Sequence, residues 1–182
     1  HMRGPEGLRE RCLSWLRVQH IRAGRKNGQH IVMVDRDKTG RESGRVLGGL
    51  LPGSEGQAAF ELVQRKPSPI PVLIAVPHAG RSYPEELLQR MRSPQDACLR
   101  LEDRLADLVA REVAKDTGAA LLLAHAPRAM IDLNRSADDM DWTMVQGGAP
   151  AGRTRFAAGR RARSGLGLVP RRLTGTGELW KG

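Results

Sequence analysis

Three groups of side chains in this 182-residue sequence are suited to hydrolytic chemistry: His78, Glu102, and the trio Arg128, Asn134 and Arg135. His78 follows the apolar run Val72-Leu73-Ile74-Ala75-Val76. It therefore stands just beyond a strand's C-terminal end, where open α/β sheets bind ligands. An imidazole and a carboxylate are typical ligands of a catalytic zinc, which usually takes three protein ligands and leaves one position to water. Zinc lowers that water's pKa toward neutrality and polarises a carbonyl, which is what amide hydrolysis requires. Two plainer readings stand beside this one. A histidine after a strand is commonly a hydrogen-bonded loop residue, and Glu102 can pair with Arg81, Arg100 or Arg104.

Arg128 and Arg135 flank the short apolar stretch that ends in Asn134. A planar guanidinium matches a carboxylate in a bidentate way, so two of them at a pocket edge suit a dicarboxylate or an acylated amino acid. They could equally pair with the acidic run Asp138, Asp139 and Asp141. Asp132 sits within the same stretch, and a buried aspartate needs a partner, for which an arginine on a neighbouring element would serve. His125 is a further candidate ligand, because parallel strands gather their C-terminal ends.

The elements that must position these residues are legible from residue 60 onward. "FELVQRK" reads as an edge strand, "VLIAV" as a buried strand, and "PEELLQRM" as a short helix opened by Pro84. Ser93-Pro94-Gln95-Asp96 announces a longer helix to about Asp116, stopped by Gly118. Leu101, Leu105, Leu108, Val109 and Val113 form its expected apolar face. Glu102 then falls roughly 50° from the centre of that face, while Asp103 and Asp107 point away. "AALLLA" and "AMIDL" read as two more strands, with another near Leu166 to Val169. Strand, helix and strand at this spacing make a βαβ unit with a right-handed crossover.

Residues 1–58 read as a basic, glycine-punctuated segment that is poorly ordered or only loosely packed, and residues 59–182 as an α/β domain expected to be C-terminally incomplete. An amphipathic helix around Leu8, Cys12, Trp15 and Leu16 and a strand at "QHIVMV" are expected there, with His20 and His30 as solvated surface. Cys12 and Cys98 form no CxxC pair, which argues against a disulfide framework and for a reducing, cytoplasmic setting. No apolar run approaches the ~20 residues of a membrane span. A net charge of +10 would attract polyanions, so a non-catalytic basic module binding nucleic acid or an acidic partner through the Arg-rich 152–172 region is the alternative to an enzyme.

"PVLIAVPHAGRSYP", "LEDRLADL", "APRAMIDLNRSADDMDW", "GLGLVPRRL" and "ELWKG" occur in the order and at spacings that resemble the N-formylglutamate amidohydrolase family. The resemblance implies a mixed, largely parallel sheet with helices on both faces, like the zinc carboxypeptidase and aspartoacylase group. It implies one zinc, and hydrolysis of N-formyl-L-glutamate to formate and glutamate in histidine degradation. Position by position, His78 matches the first metal ligand and Glu102 the carboxylate ligand, with Asp103 the alternative. Arg128, Asn134 and Arg135 match the substrate side. Family members continue past "WKG" into a second metal histidine and the general base. This chain alone is therefore expected to hold zinc weakly or not at all, to be inactive as it stands, and to self-associate through an exposed sheet edge.

Overall fold

The computed structural model describes residues 31–36, 42–152 and 160–181. The N-terminal helix expected around residues 8–19, His20, His30 and the middle of the Arg-rich region at 153–159 lie outside the described residues. The chain runs through β1 (Ile31–Arg36), β2 (Glu42–Leu50), β3 (Ala58–Lys66), β4 (Leu73–Val76), α1 (Glu85–Arg90), α2 (Pro94–Leu101), α3 (Ala106–Thr117), β5 (Ala120–Ala124), the single turn α4 (Arg160–Arg163), β6 (Arg172–Leu173) and β7 (Gly177–Glu178).

The fold is mixed α/β. Strands β1 to β5 form one sheet in the order β1-β2-β3-β5-β4, and β6-β7 form a separate hairpin. The expected βαβ unit is present: β4 pairs parallel with β5, in the register Leu73↔Ala120 to Val76↔Leu123, with α3 between them in the chain. The other three pairings are antiparallel, so the sheet is not largely parallel as expected. The difference arises in residues 31–66, where consecutive strands are joined closely enough to pair as a meander. The sheet therefore also crosses the boundary expected at residue 58.

Three further expectations are corrected. β3 is an interior strand rather than an edge, lying between β2 and β5. "AMIDL" is not a strand: Met130 N–H closes a turn onto the Pro127 carbonyl at 2.9 Å, since Pro127 supplies no donor to prolong β5. The helix expected to run unbroken to Asp116 is two helices. Glu102 is extended, and Leu105 lies in the left-handed region at φ 68°. The break is held open by Asp103 N–H, which donates to the His78 carbonyl at 3.0 Å.

That break decides which face of α3 is buried. Ala110 and Ala114 pack against Val76, Leu121 and Leu123, while Leu105, Leu108, Val109 and Val113 are 43–64% exposed. The small alanines let the helix backbone approach the sheet closely. β4 is likewise less covered than its continuous apolar run suggested, with Leu73 54% exposed. Two smaller cores complete the interior, one joining Met91, Ala97, Leu101, Ala129 and Leu179, the other Leu51, Ala126, Ile131, Met140 and Leu168.

Candidate active site

His78 is placed by a tight seam between the end of β4 and the end of β5. Gly80 bridges to Pro127, and a Cβ built on Gly80 would lie 1.9 Å from the Ala126 carbonyl oxygen. Only glycine lets the two backbones meet there. Ser82 N–H adds a bond to the His125 carbonyl at 3.2 Å. The loop carrying His78 is thus fastened to the segment that carries Asp132.

The buried imidazole lies between two carboxylates. Nε2 is 2.8 Å from Asp132 Oδ1 and Nδ1 is 3.2 Å from Asp103 Oδ2. Asp132 is 1% exposed and fully engaged. Its Oδ1 also accepts from the Asn134 backbone N–H at 3.0 Å, and its Oδ2 accepts from Arg128 Nε at 2.9 Å, with Arg135 Nε 3.6 Å away. Burial alone would raise the Asp132 pKa. The hydrogen bond from His78, the charge of Arg128 and the Asn134 N–H outweigh it and bring it down to about 2. Asp132 is therefore a carboxylate that can only accept, so the Nε2 of His78 carries the proton between them. Nδ1 is left directed at Asp103, whose side chain is half exposed.

Glu102, expected as the inward carboxylate, is buried in a different set of contacts. Its Oε2 faces Arg81 Nε at 3.4 Å and Arg104 Nε at 3.9 Å, the plainer pairing that the sequence left open. The carboxylate brought to His78 is that of Asp103, because the helix break turns it round. His125 is drawn elsewhere: its Nδ1 lies 3.2 Å from the Ala58 carbonyl and its Nε2 3.8 Å from Glu61. Among the described residues no group of three His, Cys, Asp or Glu side chains is arranged to hold a metal ion.

Arg128, Asn134 and Arg135 gather around Asp132, so its arginine partner comes from its own segment and not, as expected, from a neighbouring element. Arg135 also donates through Nε to the Leu166 carbonyl and through Nη1 to the Asn134 carbonyl, both at 3.1 Å. Arg128 uses only its Nε on Asp132, so its terminal nitrogens keep no protein partner among the described residues. Among the described residues Arg171 meets the acidic run, with Nε 3.2 Å from Asp141 Oδ2.

Sequence reasoning missed two features. One is Asp132 as the residue that joins His78 to the arginines; its position before Leu133-Asn134-Arg135 was the available signal. The other is Glu61, buried in β3 and bound by Arg45 Nε at 2.6 Å and Arg111 Nη2 at 2.7 Å. An isolated glutamate inside an apolar strand pattern was the signal there.

The N-formylglutamate amidohydrolase family model matches residues 70–182. Among solved structures, the chain is similar to the crystal structure of N-formylglutamate amidohydrolase from Ralstonia eutropha JMP134 at 2.00 Å resolution, with 28% identity and a TM-score of 0.56. The match covers 68% of this chain and 42% of that one, so the chain spans less than half the length of that relative. No curated protein matches the chain.

Proposed function

The chain belongs to the N-formylglutamate amidohydrolase family, and from that premise we propose that it carries residues of a metal-dependent site for hydrolysis of the amide bond of an N-acyl amino acid, N-formyl-L-glutamate foremost. The observation that carries this reading is the linked set His78, Asp132 and Arg128. One carboxylate fixes both the imidazole and a guanidinium whose outer nitrogens are free for a substrate carboxylate.

The donor set fits a zinc ion in chemistry. His78 Nδ1 and the Asp103 carboxylate are adjacent donors, and Asp132 holds the opposite ring nitrogen as a carboxylate does behind a metal-bound histidine. Glu102 remains the competing carboxylate in the same segment. A bound zinc would supply an activated water and a polarised carbonyl. Among the described residues these two donors fall short of the usual three protein ligands. Asp132 keeps the Nε2 proton in place, while the outer nitrogens of Arg128 hold a substrate carboxylate in a bidentate contact, with Arg135 and Asn134 beside it. The zinc carboxypeptidase and aspartoacylase type of fold is part of the same proposal, as is a place in cytoplasmic histidine degradation. No described helix is long and apolar enough to cross a membrane.

The test is release of formate and glutamate from N-formyl-L-glutamate by the purified chain supplied with zinc, beside elemental analysis of the wild type and His78→Ala. Zinc that is lost in the variant supports the metal assignment. Equal zinc in both removes it.

A further inference from the structure

We propose that Arg81 and Asp107 form a clamp that positions Asp103 against His78, an inference that rests on the metal reading of that pair. Arg81 follows His78 in the loop after β4, and Asp107 follows Asp103 across the helix break, in the first turn of α3. The two segments meet at two rungs. In the first, His78 Nδ1 is 3.2 Å from Asp103 Oδ2, and the Asp103 N–H donates to the His78 carbonyl at 3.0 Å. In the second, Arg81 Nη2 donates to Asp107 Oδ1 at 3.1 Å and Nη1 to Oδ2 at 3.3 Å, a forked pair. Arg81 also turns its Nε to Glu102 Oε2 at 3.4 Å. One guanidinium thus engages the carboxylates on either side of Asp103, and Asp103 is the one left to the imidazole.

The break needs such a tie. Asp103 stands between Glu102, which is extended, and Leu105, at φ 68°, so neither helix's hydrogen-bond ladder sets its direction. The loop side is fixed independently, because the Gly80–Pro127 seam and the Ser82 bond to the His125 carbonyl hold Arg81 between them. Arg81 is therefore the fixed point, and Asp107 the handle by which the start of α3 is set against it. The side chains of the pair are 45% and 20% exposed, so the clamp adds little to the stability of the whole fold. Its effect is local and directional. A lysine at position 81 would keep the charge but not the planar fork that fixes the angle.

The experiment compares Arg81→Ala, Arg81→Lys, Asp107→Asn and the combined Arg81→Ala and Asp107→Asn variant in the full chain, by amide exchange of the metal-free protein and by zinc competition against a chelating dye. Exchange of the Asp103 N–H is expected to quicken about fivefold in Arg81→Ala and in Asp107→Asn, the size of a lost forked ion pair. The combined variant should be no faster than either single one, because both remove the same contact. Arg81→Lys should fall between wild type and Arg81→Ala. The urea midpoint and the amides of Leu121 and Leu123 in β5 should stay nearly unchanged. Zinc affinity should fall about tenfold in both single variants, the lower end of what losing an outer partner of a ligand costs. Asp103 exchange that does not move, or that quickens only together with the β5 amides and a lower urea midpoint, would overturn the clamp, as would unchanged zinc affinity in variants of a zinc-binding wild type. A wild type that takes up no zinc would overturn the metal reading instead, and exchange at Asp103 would still decide whether Arg81 and Asp107 hold that residue.

Discussion

His78 Nε2 lies 2.8 Å from Asp132 Oδ1, although 54 positions separate the two residues in the chain. The bond is oriented: Asp132 is ionised and accepts, so Nε2 of His78 donates to it. Asp132→Asn would remove the charge that holds this arrangement and would also loosen Arg128. The expected outcome is a folded protein whose zinc affinity, measured by competition with a chelating dye, falls about 10- to 100-fold, the usual cost of losing the partner behind a ligating histidine.

The adjacent carboxylates Glu102 and Asp103 separate by substitution. Asp103 faces His78 Nδ1 from a half-exposed position, whereas Glu102 is held by Arg81 and Arg104. Asp103→Asn is expected to lower zinc affinity while leaving the urea midpoint nearly unchanged. Glu102→Gln is expected to do the reverse, costing about 1–3 kcal/mol because two arginines lose a buried charged acceptor. Zinc binding that falls only in the Glu102 variant would restore the helical-phase assignment.

Much of the local pattern was legible in the sequence: the β4 run, the cap at Ser93 and Pro94, and the stop at Gly118. What was not legible depended on contacts between distant segments. The break at Glu102 to Leu105 is set by a backbone bond to His78, 25 positions away from Asp103, and no propensity announces it. Once α3 restarts after that break, its phase is its own, and the alanines rather than the leucines and valines meet the sheet. The antiparallel half of the sheet was legible only in part: β1 overlaps the strand expected at "QHIVMV", whereas β2 is interrupted by Gly44, Gly48 and Gly49 and pairs through backbone rather than apolar pattern.

The rephased helix gives a stability contrast. Leu108 is 56% exposed and Ala110 is 7% exposed. Leu108→Ala is expected to shift stability by less than about 0.5 kcal/mol, as surface substitutions do. Ala110→Leu would drive a larger side chain into Val76 and Leu121, at a cost of about 1–3 kcal/mol. Urea titration of both variants at low protein concentration reads the difference, and the reverse order would mean that the leucine face is the buried one.

Glu61 sets an acid limit. Burial alone would raise its pKa, but the bonds from Arg111 and Arg45 and their charges pull it below the ordinary glutamate value of 4.5. A carboxylate depressed in the folded state contributes stability that is full above the unfolded value and is lost as pH falls through the folded value. The window therefore opens at about pH 4.5 and extends downward. Glu61→Gln keeps the shape but has no charge to lose. Wild type is expected to exceed this variant by a constant margin at neutral pH and to converge on it as the solution is acidified below that point. Denaturant midpoints measured for both proteins across the acid range give this margin directly, and one that widened on acidification would mean that Glu61 is protonated in the folded protein, its arginines held by other partners.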